Sequence, residues 1–102
     1  GVMALMTSEL GSINENDAAS YPLYAASKAA LNMLTRGLRD TTAQREVTLL
    51  SVHPGWVQTD MGGANATLTV EQSCSGIVSQ VLAWRGKGGH HFIDYAGNVL
   101  RW

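Results

Sequence analysis

The chain has 102 residues, 45% of them hydrophobic, with 7 basic against 8 acidic side chains and a formal net charge of −1. That length holds one domain with a modest core, and the near-neutral balance offers no basic stripe to a nucleic-acid backbone. No apolar stretch approaches a bilayer span, no secretory leader pattern is present, and the single cysteine, Cys74, makes no internal disulfide, so the expectation is a cytoplasmic protein without membrane contact.

Val2-Met3-Ala4-Leu5-Met6 is a continuous apolar run closed by Thr7-Ser8, the pattern of a buried parallel strand. It starts at the second residue, so an upstream portion is expected. Residues 11–20 are small and polar and read as a loop. Pro22 opens a helix, where its missing N–H costs nothing, and the alanines and leucines that follow carry the helix to about residue 41. Gly37 either weakens it or allows a close approach to another backbone. Residues 47–52 form the second strand, ended by His53-Pro54-Gly55. Thr69 is an N-cap with Gln72 at capping-box spacing, and a helix runs from 70 to about 84. Residues 91–95 make the third strand. Strand-helix-strand-helix-strand at these lengths is the signature of right-handed parallel crossovers, and it leaves the first strand with an edge for another segment or chain.

Tyr24 and Lys28 are four apart on the first helix, so their Cβ atoms are about 5–6 Å apart on one face. A free phenol is a poor acid–base group at neutral pH, and a neighbouring ammonium favours its ionised form. Such a pair can give a proton to a carbonyl oxygen as hydride arrives, or take one from an alcohol in reverse; tyrosine and lysine at this spacing also occur as ordinary boundary and solvated residues. Ser8 follows the first strand at its carboxyl end, where ligands bind in open α/β sheets, and its hydroxyl can donate to a developing alkoxide. Thr7 and Ser12 are alternatives for that role. No base is placed to make Ser8 a nucleophile, and no G-x-S-x-G elbow exists. His53-Pro54-Gly55-Trp56-Val57-Gln58-Thr59-Asp60-Met61 follows the second strand and reaches the same rim, either as a stiff turn facing a flat ligand or as a simple change of direction.

Met6-Thr7-Ser8-Glu9-Leu10-Gly11-Ser12, Tyr24-Ala25-Ala26-Ser27-Lys28-Ala29-Ala30-Leu31-Asn32 and the 53–61 loop, in this order and separation, resemble a short-chain dehydrogenase/reductase over most of the chain. Asp94-Tyr95-Ala96-Gly97 and Trp102 are similar to its carbonyl-reductase-like branch, the C-factor and sniffer-type proteins. The resemblance implies an α/β fold, the C-terminal part of a Rossmann-type parallel sheet, with the N-terminal cofactor-binding half absent from these residues. It implies Ser8 as the substrate-orienting residue and Tyr24 as the proton donor. It implies Lys28 as holder of the nicotinamide ribose, Pro54, Gly55 and Val57 near the nicotinamide, and Thr59 on its carboxamide. NADP(H) is expected ahead of NAD(H), although the residues selecting the 2′-phosphate belong to the absent half. Expected partners are a small carbonyl or alcohol substrate and either a second copy or the N-terminal segment, with no nucleic acid.

Several family features are missing: the Gly-rich turn, the adenine-side selector, the Asn-Ala-Gly segment and the asparagine that relays protons to the lysine. Gly62-Gly63 does not replace the turn, because it joins no strand to a helix with G-x-G-x-x-G spacing. The Ser8–Tyr24 separation exceeds the usual family gap, so that loop is enlarged. Two further readings stay open: a truncated, non-catalytic remnant serving as an association module, and a chain completed by a separate N-terminal piece.

Other residues read as ordinary. His90 and His91 point to opposite faces of a strand, and His53 has no local partner, so no metal is expected. Cys74 reads as a small packing residue. Trp56 is assigned to a substrate pocket shaped by the 62–67 loop, and Trp84 to closing the core.

Overall fold

A computed structural model describes residues 1–59 and 63–102. Asp60, Met61 and Gly62, expected in the rim motif and the substrate loop, lie outside the described residues. The elements are β1 (Val2–Met6), a 3-10 turn (Glu9–Gly11), α1 (Pro22–Arg36), α2 (Arg39–Gln44), β2 (Thr48–His53), α3 (Val70–Ala83) and β3 (His90–Asp94). The strands form one parallel sheet in the order β1-β2-β3, with Val2 opposite Thr48 and Leu49 opposite His90. β2 is central, and Thr48, Leu49, Leu50, Ser51 and Val52 are all buried, which is why its sequence runs apolar without alternation. β1 pairs with β2 alone among the described strands, leaving its outer edge open as expected.

Several boundaries differ from the sequence reading, β2 ending one residue later at His53 and β3 one residue earlier at Asp94. β2 begins one residue later, because the Val47 N–H is taken by Thr42 O at 2.9 Å and the ladder starts with Thr48 N–H on Gly1 O. β3 begins one residue earlier, at His90. The single helix expected to residue 41 is two: α1 ends at Arg36, and α2 resumes at Arg39. At the break Gly37 N–H reaches Leu34 O and Met33 O, and Leu38 N–H reaches Thr35 O. The turn thus tightens to three-residue bonding at the one poor helix former in the segment. α3 begins as expected: Thr69 Oγ1 accepts from Gln72 N–H, and Gln72 Oε1 accepts from Thr69 N–H.

The two long helices cover opposite faces. Leu50, Val52 and Ile93 form the core cluster on the α3 side, with Ile77, Trp84, Val2 and Ala4 packed against it. The alternate residues of β2 and β3, Ser51 and His90, face α1, where Arg36 meets His90. Both connections step the same way across the sheet, so helices on opposite faces give them opposite hands. The expectation of two right-handed crossovers therefore holds for only one. After β3 the chain reverses at Gly97 (φ 90°), where the Asp94 carboxylate accepts from the Ala96 and Asn98 N–H groups. Val99 then bridges Ile93 in antiparallel fashion, and the return leads Arg101 and Trp102 onto the α1 face. Among the described residues no helix is long and apolar enough to cross a membrane.

Candidate active site

The carboxyl ends of β1 and β2 deliver residues 7–12 and 53–59 to one rim of the sheet, where ligands of open α/β sheets bind. Of the three hydroxyls after β1, two have committed their protons. Thr7 Oγ1 donates to Asn32 Oδ1 at 2.7 Å, and Ser12 Oγ donates to the carbonyls of Arg101 and Trp102 at 2.5 and 2.9 Å. Ser8, also buried, caps the 3-10 turn by accepting from Leu10 N–H at 3.1 Å. Accepting uses a lone pair and leaves the hydroxyl proton available to donate.

Opposite this turn is α1. Gly11 packs so closely on it that a Cβ there would lie 2.8 Å from Lys28 C and Cβ and 2.9 Å from Ala29 N. This contact fixes the distance between the Ser8 turn and the helix carrying the predicted pair. Within the pair, Lys28 Nζ lies 5.6 Å from the Tyr24 ring centroid, so the ammonium is stacked over the phenol one turn away. Tyr24 is 37% exposed and is within reach of a ligand.

The loop between Ser8 and Tyr24, expected to be merely polar, is ordered. Asn16 staples it, donating from Nδ2 to Leu10 O and Ser20 O and accepting from Ser20 N–H at Oδ1, each at 3.0 Å. The chain then enters α1 through left-handed Ala19 (φ 53°) and Tyr21 (φ 51°), a conformation that costs a side chain about 1–2 kcal/mol.

The second rim loop is clamped from behind. Ser73 Oγ donates to Pro54 O at 2.6 Å. Gly55 (φ 84°) lies against Leu68 and the Tyr95 ring, and Gly76 of α3 lies against Tyr95 from the other side. Val57 bridges Leu68 in parallel, with Gln58 N–H on Leu68 O at 2.7 Å and Leu68 N–H on Trp56 O at 3.0 Å. Thr59 N–H donates to Val57 O at 2.8 Å. Pro54, Gly55, Val57 and Thr59 thus stand on one braced loop. Trp56 is exposed, and Trp84 packs on the core. Cys74, expected to be a packing residue, is exposed on α3.

The histidines have separate environments. His53 Nε2 lies 3.7 Å from Glu9 Oε1, and its buried Nδ1 lacks a hydrogen-bond partner. Burial holds this imidazole below its usual range against the opposing pull of Glu9 and Asp94. His90 accepts from Arg36 Nε at Nδ1, 2.9 Å away, so its own proton sits on Nε2 and is donated to Ser51 Oγ at 2.9 Å. Burial and then the Arg36 cation push it down to about 4. His91 turns to the other face, stacked with Trp84 at 4.5 Å. Among the described residues no three His, Cys, Asp or Glu side chains converge on a metal position. A cavity of about 480 Å³ lies between α1 and the Ser8–Tyr24 loop, bounded by Ile13, Asn32, Met33 and Trp102 but by none of Ser8, Tyr24 or Lys28.

Sequence reasoning assigned no structural role to Asn32, Ser73 or Tyr95 and missed the packing of Gly11 and Gly76. Polar Asn32 and Ser73 on otherwise core-facing helix positions were the available signal, since buried polar groups require partners. The glycine contacts are long-range and leave no local trace.

Comparison with known proteins bears on this arrangement. The model of the short chain dehydrogenase family matches residues 1–68. The chain belongs to that family. The C-signal protein of Myxococcus xanthus is 40% identical over 101 residues, covering 98% of this chain and 60% of that protein. The carbonyl reductase Sniffer of D. melanogaster superposes with a TM-score of 0.90 at 37% identity, over all of this chain and 41% of that one. A carbonyl reductase from Pseudomonas aeruginosa PAO1 in complex with NADP superposes with a TM-score of 0.84 at 43% identity, over all of this chain and 44% of that one. The chain therefore spans about half the length of these family members, and its three strands match part of their Rossmann-type sheet.

Proposed function

We propose that residues 1–102 are one partial domain carrying the catalytic and substrate side of a carbonyl reductase. Its whole protein would reduce aldehydes or ketones, or oxidise the matching alcohols, with a nicotinamide cofactor. The observation that carries this reading is the uncommitted Ser8 proton on a turn held by Gly11 against the helix bearing Tyr24 and Lys28. A carbonyl oxygen between Ser8 and Tyr24 receives a hydrogen bond from Ser8 and the phenolic proton from Tyr24 as negative charge builds on it. Lys28, its ammonium over the phenol ring, offers donors to ribose hydroxyls. The donor set fits the nicotinamide-ribose end of a dinucleotide: an ammonium, a phenol and the braced 54–59 loop. The cofactor when bound supplies the hydride. NADP(H) is favoured over NAD(H) because solved relatives, among them the carbonyl reductase from Pseudomonas aeruginosa PAO1, have NADP bound. A cytoplasmic setting suits the lone, exposed Cys74.

The association reading has its own support. Leu23, Met33 and Leu34 of α1 are 88%, 71% and 73% exposed, and the β1 edge is open, surfaces that soluble chains usually cover. A second copy or an N-terminal nucleotide-binding segment would cover them. In the gene product that carries these residues, Tyr24→Phe removes carbonyl reduction, and Ser8→Ala lowers kcat about 10²-fold. Near-full turnover by Tyr24→Phe would sink the acid role. The 102-residue chain alone is expected to leave NADPH fluorescence unchanged; saturable micromolar binding would show that it needs no further segment.

A further inference from the structure

Arg101 and Trp102 hold more of the molecule together than any sequence signal indicated. The Trp102 ring packs at a tilt against His90 and Phe92 with centroids 4.7 and 4.9 Å away, and the Arg36 guanidinium lies 4.8 Å over it. This fixes residues 101–102 to β3 and α1 together. Their backbone then fastens the Ser8–Tyr24 loop. Both carbonyls accept from Ser12 Oγ, Trp102 O also accepts from Ile13 N–H at 3.0 Å, and Ser12 Oγ in turn accepts from Glu15 N–H. The Arg101 side chain closes the arrangement, with Nε 2.6 Å from Glu15 Oε1 and Nη2 on Asn14 O. Ser12 is the residue after Gly11, which sets the spacing of the Ser8 turn against Lys28.

We propose that Arg101 and Trp102 form a clasp whose task is to position the Ser8 turn against Tyr24 and Lys28. They are positioning residues, since no group of theirs lies at the reacting atoms. The clasp grips residues 12–15 on one side while Gly11 abuts α1 on the other, so the turn bearing Ser8 is held from both ends of its continuation. Release of the clasp lets the turn drift from the phenol, which lowers the rate of proton transfer with little effect on cofactor affinity. The catalytic consequence rests on the reductase reading; the mechanical one does not.

The test uses Trp102→Ala in the gene product that carries these residues, with amide exchange and steady-state kinetics measured together. Exchange at Ile13 and Glu15 rises about tenfold or more while that of Leu50 and Ile93 stays protected. The kcat falls about tenfold or more, the KM for NADPH changes little, and Trp102→Phe restores most of both losses. Should Trp102→Ala lose the core protection as well, Glu15→Gln, which removes only the ion pair, gives the same local pattern in weaker form. Unchanged exchange at Ile13 overturns the clasp, and raised exchange with unchanged kcat overturns its positioning role. A parent protein that shows no reduction at all refutes the reductase reading, yet Ile13 exchange still decides whether the clasp exists.

Discussion

Replacing Gly11 by alanine places a methyl carbon 2.8 Å from Lys28 C and Cβ and 2.9 Å from Ala29 N, where ordinary contact begins at 3.4 Å. All three neighbours are backbone or bonded directly to it, so no flexible side-chain end can yield. Either α1 or the 3-10 turn must retreat by about 0.6 Å, the difference between these distances. Overpacking of this kind costs about 1–3 kcal/mol, which for a chain of this size lowers the urea midpoint by roughly 1–2 M. The same retreat separates the Ser8 hydroxyl from Tyr24. Misplacement by about 1 Å costs on the order of 10²-fold in rate, so a drop in kcat of about ten- to a hundredfold is expected. Gly37→Ala, at the C-cap of α1, is the matched control. Its φ of −62° is helical and its tightest contact is 3.1 Å to Leu34 O, so helix propensity and crowding nearly cancel. Tryptophan fluorescence against urea and carbonyl-dependent NADPH consumption report the two effects. Wild-type midpoint and turnover in Gly11→Ala would falsify the claim that this contact sets the site's geometry.

Three further outcomes are expected. Acid titration tests His90, whose folded value of about 4 lies below its ordinary 6.5 because of burial, Arg36, His91 and Arg39. The unfolded chain binds more protons between these limits, so stability is complete above about 6.5 and is lost as pH falls toward 4. The full difference corresponds to about 3 kcal/mol, and solvent screening of this partly exposed ring reduces it to about 1–2 kcal/mol. His53, also lowered, acts in the same direction. Urea midpoints across this range check the slope, which His90→Gln reduces while keeping an acceptor for Arg36. Ala19→Gly stabilises the chain, because the left-handed backbone at φ 53° favours glycine by about 1 kcal/mol; a lowered urea midpoint contradicts this. Ser73→Ala removes the 2.6 Å bond to Pro54 O, costs about 1 kcal/mol and raises the KM for NADPH more than it lowers kcat. Equal effects on both constants would show that the loop does not act on cofactor binding.

What the sequence displayed was local. The apolar runs of β1 and β2, the Thr69 capping box and the four-residue spacing of Tyr24 and Lys28 each lie within a few positions, and the structure follows them closely. The helix break at Gly37 was less legible, since one glycine inside a helical pattern signals weakness rather than an end. The opposed hands of the two crossovers were hidden altogether, because strand and helix lengths do not state which face a helix covers. That choice becomes visible only through the alternation of Ser51 and His90 against Leu50 and Ile93, once the register pairs Leu49 with His90.

The same distinction explains why the residues, read without the family resemblance, left Thr7, Ser8 and Ser12 as alternatives. All three hydroxyls are near one another in sequence, and all are buried. They differ in partners that are 25 residues away for Thr7 and about 90 for Ser12. A buried hydroxyl whose proton is already donated to a carbonyl or amide oxygen must break that bond before serving a substrate, at a cost of about 1–3 kcal/mol for the acceptor left unpaired. Ser8 carries no such penalty, because its own bond consumes a lone pair. The geometry that favours Ser8 is thus built by the occupation of its neighbours. A Thr7→Val substitution should accordingly destabilise α1 through orphaned Asn32 while leaving the Ser8 hydroxyl proton free to donate.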